Sequence, residues 1–304
     1  MGWFKSVPGV VAGLATAGVL AVVGWVGVRT WSAAHPSPRD RAVGDVALSL
    51  VAVEEVQFRS ADGLTLRGWL FEGSPDRPPI VLCHGLRDGQ AGVLDLAVAL
   101  QKEGFTVLTF DFRGSGRSDG RGVGFGVAER ADVLGAVDFL ATRNLGAAPP
   151  RIGVYGVGTG AHAAVLAARD RPAMSVLVLD GLVPDGSWPL VREVFGAWKF
   201  GCERLAFLPK WIYAAFAHTD LDDRRAADVL PVLSGRRVLL LAPAASPELA
   251  GVARQIYDSV PEGASAERNL LVVPRTGEGT WRGEDARRVH DRIATFFRER
   301  LSTS

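Results

Sequence analysis

The chain has 304 residues, 48% hydrophobic and 22% charged, a balance that excludes a disordered protein and allows one large domain or two small ones. Thirty-four Lys and Arg against 33 Asp and Glu leave a net charge of +1. With no basic surplus to displace counterions from phosphates, nucleic acid is not an expected partner. The two cysteines, Cys83 and Cys202, have neither zinc-ligand nor Cys-x-x-Cys spacing, and no metal or cofactor is expected.

In chain order, the first feature is Ser6–Val28, a run without charge. A helix rising about 1.5 Å per residue over that length crosses a hydrocarbon core of about 30 Å. The expectation is a membrane anchor over residues 1–32, with lipid contact through residues 6–28. A polar linker follows over 33–45, marked by Pro36, Pro38, Arg39 and Arg41. A cleaved signal peptide is the rival, with Ser32-Ala33-Ala34 as a small-x-small site. The apolar run exceeds the usual 7–15 residues, which favours the anchor. Lys5 precedes the run and Arg29, Arg39 and Arg41 follow it, which leaves the side of the membrane open. Gly9, Gly13, Ala17 and Ala21 form one small-residue stripe, the pattern of a helix-mediated homodimer.

Residues 46–304 read as one α/β domain. Val53–Arg59 and Leu64–Phe71 alternate apolar and polar residues about Ala61-Asp62-Gly63, a hairpin signal. Short apolar runs then predict buried parallel strands at Ile80–Cys83, Thr106–Phe110, Arg151–Tyr155, Ser175–Leu179, Arg237–Leu241 and Asn269–Val273. Helical patterns lie between and after them, over Val93–Lys102, Val127–Thr142, Ala161–Arg169, Pro247–Ser259 and Glu284–Leu301. Two antiparallel strands followed by repeated βα units indicate a three-layer architecture with a mostly parallel sheet. About 182–229, rich in Trp and Phe and without a strand-like run, reads as a helical cap inserted before the seventh strand. Its aromatics either pack onto the sheet, line a pocket or face a membrane.

Three motifs carry a resemblance. Ile80-Val81-Leu82-Cys83-His84-Gly85 is a strand ending in His-Gly. Asp111-Phe112-Arg113-Gly114-Ser115-Gly116-Arg117-Ser118 is an Asp-x-Arg-Gly-x-Gly-x-Ser loop. Gly156-Val157-Gly158-Thr159-Gly160 sits at a strand-to-helix turn. In this order they resemble the α/β-hydrolase superfamily, in its serine aminopeptidase-like and lysophospholipase-like branch, from about Val53 to Leu301. The resemblance implies an α/β-hydrolase fold with a nucleophile elbow. It also implies an oxyanion hole formed by the backbone N–H groups of Leu86 and Thr159. His84, Gly85, Asp111, Arg113, Gly114, Gly156 and Gly160 would be family motif residues rather than reactive groups.

The catalytic triad does not carry over. The centre of the elbow is Gly158, which has no side chain to attack a carbonyl and sits without strain in a turn that penalises other residues. Ser246 falls where the family's acid follows its strand, and a hydroxyl cannot stabilise an imidazolium. Glu278 stands in the loop that normally supplies the histidine. Neighbouring candidates are few: His162, His218, His290, Cys83 and Asp180. The leading expectation is a membrane-anchored pseudohydrolase that binds a small apolar or acyl ligand or a protein partner. The alternative is a hydrolase of ester or acyl substrates in which Glu278 activates water in the space over Gly158.

Overall fold

The computed structural model describes residues 7–36, 53–143, 151–196, 202–221, 228, 235–244, 246–259, 268–273 and 283–301. Strands β1 (Val53–Arg59) and β2 (Thr65–Phe71) form the expected hairpin. They are followed by β3 (Ile80–Cys83), β4 (Val107–Phe110), β5 (Ile152–Val157), β6 (Met174–Asp180), β7 (Arg237–Pro243) and β8 (Arg268–Val273). One sheet results, in the order β1-β2-β4-β3-β5-β6-β7-β8. β2 is antiparallel to both neighbours, and the six strands from β4 to β8 are parallel. The crossing of β3 and β4 brings β3 beside β5, so two strand ends that carry the motifs become neighbours.

Helices cover both faces, which is why β3 to β6 are apolar on both sides. Helices α2 (Leu94–Lys102) and α8 (Gly283–Leu301) pack Leu96, Leu100, Ile293 and Phe297 on Ile80, Leu82, Tyr155 and Val178. Helices α3 (Arg130–Thr142), α4 (Thr159–Ala168) and α7 (Pro247–Ser259) pack Val133, Val137, Val165 and Ile256 on Val81, Val154 and Leu177. This is the three-layer α/β architecture expected from the sequence, with helix and strand limits moved by a few residues.

A third cluster lies outside these layers. It joins α1 (Val7–Ala34) to α5 (Ser187–Phe195) and α6 (Phe207–Ala217), both in the 182–229 insertion. The helix does not stop with the charge-free run at Val28. It continues through Arg29 because Val26, Thr30, Ala33 and Ala34, one face at helical spacing, are buried against the insertion. The stretch read as a linker from residue 33 therefore begins with two buried helical residues. Residues 37–52 lie outside the described residues. Gly13, from the small-residue stripe, faces open space.

One arginine, through two ion pairs, ties three of the elements together. Arg113 donates from Nη1 and Nη2 to Asp62 in the hairpin turn, both at 2.8 Å. It also donates from Nη2 and Nε to Asp132 of α3, at 2.7 and 3.1 Å, and its backbone N–H adds a bond of 2.9 Å. Asp132 is fully buried, and burial pushes its carboxyl up against the pull of Arg113. Removing the guanidinium strands that carboxylate. Arg113→Ala is therefore expected to cost about 3–5 kcal/mol in urea unfolding. A loss under about 1 kcal/mol, the range of an exposed pair, would contradict the clamp.

Candidate functional site

β5 ends at Val157 and α4 begins at Thr159, so one residue makes the whole turn. Gly158 has φ 54° and ψ −113°, a conformation closed to most L-residues. Its N–H donates to the Asp180 carbonyl at 2.8 Å, and its carbonyl accepts from His162 N–H at 3.1 Å. The flanking glycines permit this close approach. A Cβ on Gly156 would lie 2.6 Å from Ala161 Cα, and one on Gly160 would lie 2.3 Å from the His84 carbonyl. A Cβ on Gly158, by contrast, meets nothing within 4 Å. The backbone thus retains the shape that lifts a side chain off the sheet, and the space for that side chain is open.

That space is part of a cavity of about 260 Å³. The β3–α2 loop contributes Leu86, Arg87 and Asp88 to it, the turn contributes Gly158 and Thr159, and Asp180 ends β6 beneath it. Val183, Trp188, Pro189 and Leu249 form its apolar wall. Arg87, held at φ 65°, pairs with Glu193 of α5 across the rim at 3.0 Å. Asp180 is fully buried and accepts from Tyr155 Oη at 3.0 Å. Three acidic side chains and one guanidinium line the cavity, a balance that does not favour an anionic guest.

The motif residues serve the framework. His84 Nε2 accepts from Phe112 N–H at 3.0 Å, which places the proton on Nδ1 facing the Gly85 carbonyl at 2.8 Å. Both ring nitrogens are committed, so the imidazole joins the ends of β3 and β4 and is no base for the turn. Asp111 accepts from Gln90 N–H at 2.9 Å and from Gln90 Nε2 at 3.2 Å, fixing the loop before α2. Gly114 has φ 68°, and a Cβ there would lie 2.7 Å from the Gly122 carbonyl.

The other sequence candidates are scattered. Ser246 sits at the start of α7, where its carbonyl accepts from Ala250 N–H at 2.9 Å. It does not line the cavity; Leu249, one turn later, does. Glu278 lies outside the described residues. Cys83 is fully buried, and burial pushes its thiol up, away from thiolate chemistry. His218 is an exposed residue at the end of α6, and His290 lies on α8; neither lines the cavity. Among the described residues, no group of His, Cys, Asp and Glu is placed to hold a metal ion. Trp188 is one of the insertion aromatics for which a pocket lining was among the expectations, and it lines the cavity, whereas Arg87 and Glu193 carry no such expectation. The one signal for these two is position: Arg87 directly follows an expected oxyanion donor, and Glu193 lies in the aromatic insertion.

Residues 74–194 match the serine aminopeptidase family S33. A polyketide transferase of Stachybotrys chlorohalonatus is 35% identical over 134 residues, 43% of this chain and 45% of the relative. A thiohydrolase of Aspergillus aculeatus is 36% identical over 152 residues, 46% of this chain and 48% of the relative. The chain thus aligns with about half the length of these curated relatives. Among solved structures, an esterase of Pyrococcus furiosus superposes with a TM-score of 0.67 at 18% identity, covering 88% of this chain and 98% of the esterase. An α/β hydrolase from a Penicillium species gives 0.66 at 18% identity, covering 83% and 100%.

His162 lies under the turn, fully buried on α4, and burial holds its pKa down at about 4. An unfolded histidine takes its proton near pH 6.5, so between about 6.5 and 4 the unfolded chain binds more protons and stability falls with acidification. His162→Gln is expected to flatten this slope by up to about 1.4 kcal/mol per pH unit within that window. Urea midpoints at pH 7 and pH 5 measure it, and equal slopes for wild type and variant would refute the burial argument. Fold, motifs and matches agree: the chain has an α/β-hydrolase fold, and the stretch similar to the serine aminopeptidase family S33, residues 74–194, includes the turn at Gly158.

Proposed function

We propose that the chain is a membrane-anchored pseudohydrolase that binds, without cleaving, a small apolar ligand bearing a neutral acyl carbonyl. The observation that carries this reading is Gly158: elbow backbone, open space above it and no nucleophile. In this reading the carbonyl sits against the N–H groups of Leu86 and Thr159, at the positive end of α4. The apolar tail lies against Val183, Trp188 and Leu249. Loss of a triad nucleophile alone lowers turnover by about 10⁶, which leaves binding as the function a site of this kind retains. The names of the curated relatives, polyketide transferase and thiohydrolase, agree with an acyl-type ligand. The anchor is supported by α1, whose span Val10–Ala34 is long and apolar enough to cross a membrane. Packing of Val26, Thr30, Ala33 and Ala34 on the cap also favours an uncleaved helix, because cleavage after Ala34 would strip those side chains from the third cluster.

Native mass spectrometry of the detergent-extracted full chain tests the ligand. Wild type is expected to carry an added mass of lipid or acyl size, and Trp188→Ala to lose most of it. An unliganded wild type that also takes up no added acyl ester or ketone would overturn the binding reading.

A further inference from the structure

The geometry points to a second membrane contact: the exposed face of α6 lies on the surface of the bilayer that α1 spans, so the cap rests on lipid. This rests on the anchor reading above and goes beyond it.

α6, Phe-Leu-Pro-Lys-Trp-Ile-Tyr-Ala-Ala-Phe-Ala, carries one charge, at Lys210. Its inner face packs Pro209, Tyr213 and Phe216 towards α1 and the Val123–Phe125 loop. Its outer face presents Phe207 (60% exposed), Trp211 (71%), Ala214 and Ala215. A surface helix in water places polar residues on that side; one apolar on both faces is buried in protein or meets lipid.

The position of α6 favours lipid over a protein partner. Residues 7–25 of α1 precede its first buried residue, Val26, and rise about 28 Å, close to the thickness of a hydrocarbon core. No spacer follows, because the next turns are already docked. Arg29 donates from Nη2 to the Glu193 carbonyl at 2.8 Å, at the end of α5, and Trp25 packs on Phe195. Phe216, at the end of α6, packs on Trp31 at 5.3 Å. α1 ends three residues later, at Ala34, yet α6 packs along it, so α6 runs back towards Trp25 and the membrane. From Phe216 to Phe207 that return covers about 14 Å, more than the roughly 9 Å of helix between Trp31 and Trp25. Phe207 and Trp211 therefore reach the level where aromatic side chains occupy the membrane–water interface.

The test uses the full chain with Cys202→Ser, reconstituted in phosphatidylcholine vesicles with or without brominated acyl chains. Cys83 is buried and does not compete for label. An environment-sensitive fluorophore is attached in turn through Leu14→Cys, Trp211→Cys and Glu103→Cys. Ala215→Cys, on the same face of α6, replaces Trp211→Cys if that variant misfolds. The labels at 14 and 211 are expected to lose emission to brominated lipid, and the label at 103 to remain open to aqueous iodide. Quenching by lipid at 14 with iodide access at 211 overturns the inference and leaves the anchor standing. Shielding at 211 from both quenchers means a protein partner or a second copy covers α6, and also overturns it. No lipid quenching at 14 defeats the anchor reading, and this inference with it.

Discussion

The close approach of α4 to the ends of β3 and β5 is the contact on which the rest of the site depends. Gly156 lets Ala161 sit against β5, and Gly160 lets α4 begin directly over the His84 carbonyl. With both gaps closed, the chain has one residue in which to turn from strand to helix. That residue takes a conformation in which a side chain would stand clear of the sheet. The cavity and its lining by Gly158, Thr159, Asp180 and Arg87 follow from this packing. None of it requires a nucleophile. The motif residues serve that framework: His84 and Asp111 spend their hydrogen bonds on neighbouring loops, and Arg113 on the hairpin turn and α3.

Strands β3 to β6 were legible because each is a short apolar run buried on both faces, and β1 and β2 because they alternate about a turn. Limits moved where a residue has two roles. Gly156 and Val157 look like part of the turn but complete β5, paired with Leu179 and Asp180. Thr159 and Gly160 look like loop but open α4. The missing side chain at Gly158 was legible at once, since a motif fixed its place. The cavity wall was not. Arg87 and Glu193 lie 106 residues apart and meet only because the cap folds back over the turn. The docking of α1 was equally hidden, because Val26, Ala33 and Ala34 suit lipid and protein alike, and only tertiary packing separates the two.

Helix α1 and the cavity are joined through α5. Arg29 of α1 holds the last carbonyls of α5, where a cation also favours the negative end of the helix dipole. One residue of that helix turn, Glu193, reaches the other way and pairs with Arg87 at the cavity rim. Arg29 and Arg87 thus grip the same turn of α5 from two sides. The insertion helices, α1 and the cavity rim form one connected unit.

Labelling by a fluorophosphonate probe is the most direct measurement of the central claim, because that reagent reports a hydroxyl activated by a base. Purified full-length protein in detergent is expected to give no covalent adduct by intact-mass analysis, and no hydrolysis of short acyl esters above a heat-denatured control. A stoichiometric adduct, or ester turnover abolished by the same reagent, would contradict the account and restore a working serine-type hydrolase.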